Sequence, residues 1–208
     1  SFSIEKLYEF INKQNCFMVW GGGLNLAPAD DKIIRVQKQL GIESNDKLVS
    51  SIMAKKIAQG VTHVLFDIPV GTHTKIKTDK DAAEVEEIFI KIAKHFNINI
   101  EVHKRHIEGI DGFGVGPNIE CREFLRIYEG DELASAEMLE EALVMSGKII
   151  ELAGQAPKSM GKAMALDIFR SGRAEEKFRK IVESQNGNPN IKSTDLLIGS
   201  IQNDIRST

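Results

Sequence analysis

The chain has 208 residues, 42% of them hydrophobic, and carries 27 Lys and Arg against 30 Asp and Glu, a formal charge of −3. That is enough length and apolar content for a packed core. The slightly acidic balance offers no basic surface to nucleic acid or to a membrane. No apolar run reaches the length of a bilayer span, and no charged-then-apolar segment opens the sequence, so the expected location is cytoplasmic. Cys16 and Cys121 lie far apart and outside any metal-type spacing, as expected of two thiols in a cytosolic protein.

In chain order, a short helix runs through Leu7, Phe10 and Ile11. The continuously apolar stretch Cys16–Trp20 then reads as a buried strand, halted by three glycines. Pro28 and Asp30 are expected to keep the following loop irregular. Ser44, Asn45 and Asp46 offer an N-cap for a helix over about 47–59. Val61–Ile68 has the Val, Leu, Phe and Ile content of a buried parallel strand, with Pro69 and Gly71 ending it.

Thr78 and Asp79 cap an amphipathic helix that turns Val85, Ile88, Phe89, Ile92 and Phe96 to one side. A third strand is predicted over Ile98–Val102, followed by a glycine loop, Gly109–Gly116, closed by Pro117. Helices are predicted at about 118–128, 133–153, 159–171 and 174–185. Strand and helix alternation with short connections predicts an α/β layer: a mainly parallel (mixed) sheet flanked by helices, with a helical C-terminal part.

Four groups of residues have chemical potential. Ser51 and Lys55, four apart on one helix face, are either a hydroxyl and an ammonium aimed at a polar ring or an ordinary solvated face. Arg35, near Asp30 and Asp31, is either a two-pronged donor to a carbonyl or carboxylate or half of a surface ion pair. The loop Gly112–Pro117 follows a strand and precedes a helix, but its G-x-G-x-G-P spacing is not a dinucleotide fingerprint, and a close-packed turn is the better reading. His103, Lys104, Arg105, His106, Glu108 and Asp111 cluster at the carboxyl end of the third strand, where open α/β sheets bind ligands. That cluster has no defined metal-ligand pattern, so no metal is expected. It is either mixed surface charge or the seat of a general acid, His106 or Glu108. Thr72, His73 and Thr74 follow the second strand as pocket lining or as a plain turn.

Several stretches resemble the thymidine phosphorylase family, and within it the archaeal-style second type that includes AMP phosphorylase. They are Val19–Gly22, Asn25–Arg35, Ser51–Lys56, Thr62–Gly71 and Gly114–Arg122, the last similar to the family's G-x-G-P-x-x-E-x-R run. The resemblance implies a nucleoside phosphorylase/phosphoribosyltransferase catalytic-domain-like fold, a pentosyltransferase activity, inorganic phosphate as co-substrate with no other cofactor, and a homodimer in the full-length protein. It implies phosphorolysis of a pyrimidine nucleoside such as thymidine; the alternatives are a nucleoside 5′-monophosphate such as AMP, or an inactive nucleotide-binding module.

By the same resemblance, Gly21, Gly22, Arg35, Ser50, Ser51 and Lys55 bind substrate. Lys55 also stabilises the departing base, and Glu108, or else His106, protonates it. Two departures stand out: Gly109-Ile110 replaces the usual glutamine-proline pair, and histidine and glutamate occur where aspartate is typical. The family's N-terminal helical domain and its phosphate-gripping loop have no counterpart here. Residues 1–198 are therefore expected to be the central base-binding domain and 199–208 a polar tail or linker, with the isolated segment inactive.

Overall fold

The fold turns on two adjacent parallel strands, β1 (His63–Val70) and β2 (Asn99–His106), paired in register from His63↔Asn99 to Val70↔His106 in a computed structural model. The structure describes residues 2–19, 27–41, 44–197 and 199. The helices are α1 (Ile4–Gln14), α2 (Pro28–Leu40), α3 (Asn45–Ala58), α4 (Asp79–His95), α5 (Pro117–Glu129), α6 (Ala136–Leu152), α7 (Gly161–Arg170) and α8 (Arg173–Ser184). The α/β class and the helical C-terminal part are as the sequence predicts.

Successive strand residues point to opposite faces, and the two faces of this pair differ in chemistry. Val64, Phe66, Ile68 and Val70 of β1 are all buried, in one core with Val49 and Met53 of α3 and with Ala82, Val85, Phe89 and Ala93 of α4. Phe66 stacks on Phe89 with ring centroids 3.9 Å apart. The other face is ionic. Glu101 of β2 accepts from Lys148 of α6 at 2.7 Å, and His103 lies 2.6 Å from Glu141 of the same helix. Ionic contacts therefore tie α6 to this face.

α3 and α4 follow their caps. Ser44 and Thr78 each accept a backbone N–H three residues on, satisfying one of the donors that a helix start leaves open. An aromatic cluster of Phe124 and Tyr128 of α5, Phe169 of α7 and Phe178 of α8 closes the C-terminal layer.

Four expectations are corrected. Cys16–Val19 form no strand. The N–H and C=O of Met18 are instead taken by the side-chain amide of Gln185, at 2.7 Å each, so the Gln185 amide does for Met18 what a neighbouring strand would. Pro28 begins a helix rather than an irregular loop: its missing N–H falls where helices have unpaired donors, and Asp30 and Asp31 complement the helix dipole in the first turn. β1 runs on through Pro69 because, among the described residues, β2 is its one partner, and an edge strand tolerates proline. β2 likewise continues to His106, beyond the predicted Val102.

α6 and α7 cross at a pair of glycines. A Cβ on Gly147 would sit 2.4 Å from the backbone nitrogen of Lys162, and one on Gly161 would sit 2.1 Å from the carbonyl oxygen of Gly147. Backbone stands in the way on both sides, so the helices would have to separate. Gly147→Ala is expected to cost about 2 kcal/mol of stability, a fall of roughly 5 °C in Tm. Thermal unfolding with an unchanged Tm would contradict so close a crossing.

Candidate active site

The first turn of α2 buries a carboxylate. Asp30 is 7% exposed, and its neighbours on α3 are Lys47, Ser51 and Lys55, spaced four apart so that they form one stripe. Lys47 Nζ donates to Asp30 Oδ1 at 2.5 Å. Ser51 Oγ and Lys55 Nζ donate to Oδ2 at 2.7 and 2.9 Å. Lys55 Nζ also lies 3.4 Å from Asp31 Oδ1. One carboxylate thus orders a hydroxyl and two ammonium groups on the facing helix.

Burial pushes the Asp30 carboxyl upward, but the hydrogen bonds from Lys47, Ser51 and Lys55, together with the Lys55 charge, outweigh it and bring its pKa down to about 2. Lys55 is held above the ordinary lysine value, first by its hydrogen bond to Asp30 and against some burial. Both groups stay charged across the physiological range.

Of the substrate-side residues named from sequence, the structure brings Ser51 and Lys55 together on Asp30. Ser50 faces away: its hydroxyl donates to the backbone carbonyl of Asp46 at 2.7 Å within its own helix. Arg35 is exposed on α2, five residues after Asp30 and so on a different face of the helix. It forms no ion pair with Asp30 or Asp31. Gly21 and Gly22 lie outside the described residues.

The second cluster splits by strand alternation. Lys104 and His106 point to the α4 side, where Lys104 meets Glu86 at 2.7 Å and His106 meets Asp79 at 2.9 Å. His103 and Arg105 point to the α6 side. Arg105 donates to both Asp67 of β1 and Asp111 of the following loop. The hydrogen bonds it donates to Asp111, then those to Asp67, raise the Arg105 pKa further and fix its charge. Arg105 in turn holds Asp111 below the usual carboxylate range.

Glu108 is exposed in the loop. Thr72 and His73 are exposed in the turn after β1, and Thr74 bonds to the carbonyl of Gly71 at 2.9 Å. Among the described residues no hydrogen bond or ion pair links the Asp30 group to Glu108 or His106, and no three His, Cys, Asp or Glu are grouped to hold a metal ion.

Two residues escaped the sequence reading. Asp30 appeared as a loop residue and as a partner for Arg35, although its spacing ahead of a Lys-x-x-x-Ser-x-x-x-Lys stripe is visible in the chain. Glu123 is 4% exposed on α5, and its Oε2 accepts the Phe113 N–H at 2.7 Å. Gly112, at φ +76°, packs so close that a Cβ there would lie 2.6 Å from that oxygen. A buried glutamate under a glycine loop leaves no periodicity signal.

No protein-family model matches the chain. Over 204 residues, 98% of its length, the chain is 38% identical to a protein of Methanosarcina acetivorans named AMP phosphorylase. It is also 38% identical to proteins of that name from Thermofilum pendens, over 95% of its length, and from Thermococcus kodakarensis, over 96%. The chain spans 37–40% of the length of these relatives. The family resemblance carried by the motifs is borne out.

Because the Asp30 pKa is depressed, its contribution to stability is fully present above the unfolded value near 4 and is lost as pH falls toward about 2. The shift corresponds to about 2 kcal/mol. Asp30→Asn is expected to lower stability by about that amount at pH 7, with the gap to the wild type closing between pH 4 and 2. Urea unfolding at several pH values checks this, and a gap independent of pH would refute the assignment.

Proposed function

We propose, on the premise that this chain is homologous along nearly its whole length to the AMP phosphorylases, that the whole protein is a pentosyltransferase cleaving a nucleoside 5′-monophosphate with inorganic phosphate. A phosphate oxygen bonds to the anomeric carbon. The glycosidic C–N bond breaks, its electron pair leaves with the base, and a proton from Glu108 or His106 completes the free base. The products are base and ribose 1,5-bisphosphate. In this reading the chain supplies the base-binding wall, with Ser51 and Lys55 as donors to the base edge, and the protein works as a homodimer.

The observation that carries the proposal is the near end-to-end identity to relatives named for AMP. It favours the nucleotide over thymidine. The charge state of the wall points the same way. An anionic pyrimidine oxygen calls for an unshared cation, whereas Lys55 already faces both Asp30 and Asp31. A cation so compensated suits a neutral, hydrogen-bonding base such as adenine. Its fixed position still makes it effective, since donors oriented in advance need no reorganisation as charge develops.

The test is base release from AMP and from thymidine by the whole protein, with and without phosphate. Release from AMP that requires phosphate, with thymidine a poor substrate, is expected. Release without phosphate, or none from either compound, would refute phosphorolysis; faster turnover of thymidine would restore the pyrimidine reading. Lys55→Met is expected to lower kcat by about 10²-fold.

A further inference from the structure

We infer that Arg105 and Asp111 are positioning residues, a clasp that sets the 107–110 bridge and with it Glu108 at the carboxyl end of the parallel strands. The catalytic consequence rests on the function proposed above; the clasp itself does not. Arg105 sits near the end of β2 with a side chain 17% exposed. Its Nε donates to the two oxygens of Asp67 at 3.0 and 3.1 Å, and one terminal nitrogen adds a bond to Asp67 Oδ2 at 2.9 Å. The outer edge of the guanidinium grips Asp111 in a parallel pair of bonds at 2.7 and 2.6 Å. One planar cation thus joins a strand residue to a loop residue six positions after itself.

The loop is fastened at two further points. The Ile107 N–H donates to the Val70 carbonyl at 2.9 Å, tying the exit of β2 to the end of β1. The Phe113 N–H donates to buried Glu123. Between these points no backbone–backbone hydrogen bond holds residues 108–112 among the described residues. The side-chain clasp is therefore what fixes the middle of the loop, where Glu108, Gly109 and Ile110 are exposed.

Arginine is the residue for this task. Its planar fork meets two carboxylates at once, which a lysine ammonium does not reproduce. A proton donor must come within hydrogen-bond reach of the departing base, and misplacement by about 1 Å costs on the order of 10²-fold in rate.

Asp111→Asn in the whole protein separates the possibilities, because Asp111 lies on an exposed loop whose alteration leaves the core intact. Hydrogen exchange is followed at the Ile107 and Phe113 amides, alongside kcat and KM for AMP with phosphate. Exchange at both amides is expected to quicken by roughly tenfold, with kcat falling about tenfold and KM for AMP staying within about twofold. Asp67→Asn, which frees the guanidinium from β1 without touching the loop, is expected to move exchange and kcat in the same direction. Unchanged exchange in D111N overturns the clasp, and quickened exchange with unchanged kcat overturns the positioning role. If the wild-type protein releases no base, the proposed function fails, while exchange in D111N still decides whether the clasp holds the loop.

Discussion

Everything in the central layer depends on the alternation of two neighbouring strands. β1 and β2 lie parallel and in register, so each turns its even-numbered residues to α3 and α4 and its odd-numbered residues to α6. The even positions of β1 are Val, Phe, Ile and Val, and they make the core. The odd face carries Asp67, Glu101, His103 and Arg105, and its partners are the ionic residues of α6 and the loop after β2. A shift of one residue in either strand would place these charges in the core and the core residues against α6. The register is thus enforced from both sides, by the cost of burying charge and by the loss of apolar burial.

The buried carboxylate of Asp30 works by the same logic on a smaller scale. α2 reaches α3 through ionic contacts, and most of its apolar residues, Ile33, Ile34, Val36 and Leu40, remain exposed. The link is short-range and directional, three donors converging on two oxygens. An apolar contact would tolerate rotation of α2; this arrangement does not, since each oxygen already has assigned donors. The interaction therefore specifies orientation more than it adds stability, because much of the attraction is offset by removing the carboxylate from water.

The legible part of the fold was the part written in local signals. Ser44 and Thr78 mark helix starts, the Val61–Ile68 composition marks a strand, and the 3- and 4-residue apolar spacing marks α4; each appears close to where the sequence places it. Several of the failures share a cause, which is partners distant in the chain. Met18 is satisfied by Gln185, 167 residues away, and no pattern around Cys16–Val19 announces a side-chain amide in place of a strand. The charged run from His103 to Asp111 read as one cluster because sequence shows proximity and not face. Strand alternation divides it, sending His103 and Arg105 to one side and Lys104 and His106 to the other. At the candidate site the i, i+4 relation of Ser51 and Lys55 was visible and Asp30 stood ahead of them in the chain, but nothing local marked Asp30 as buried against them.

The two charged centres also differ in how they respond to a neighbour. At Asp30 and Asp31, two carboxylates face two lysines, so the group is balanced and a neutral ligand edge can approach without meeting net charge. At Arg105, one cation faces Asp67 and Asp111, which leaves a surplus of negative charge near Glu108. Asp67 and Asp111 hold the Arg105 guanidinium and set this charge, while Asp30 and Asp31 orient Lys55 and offset its own. In both centres, the groups that fix geometry also set the local charge.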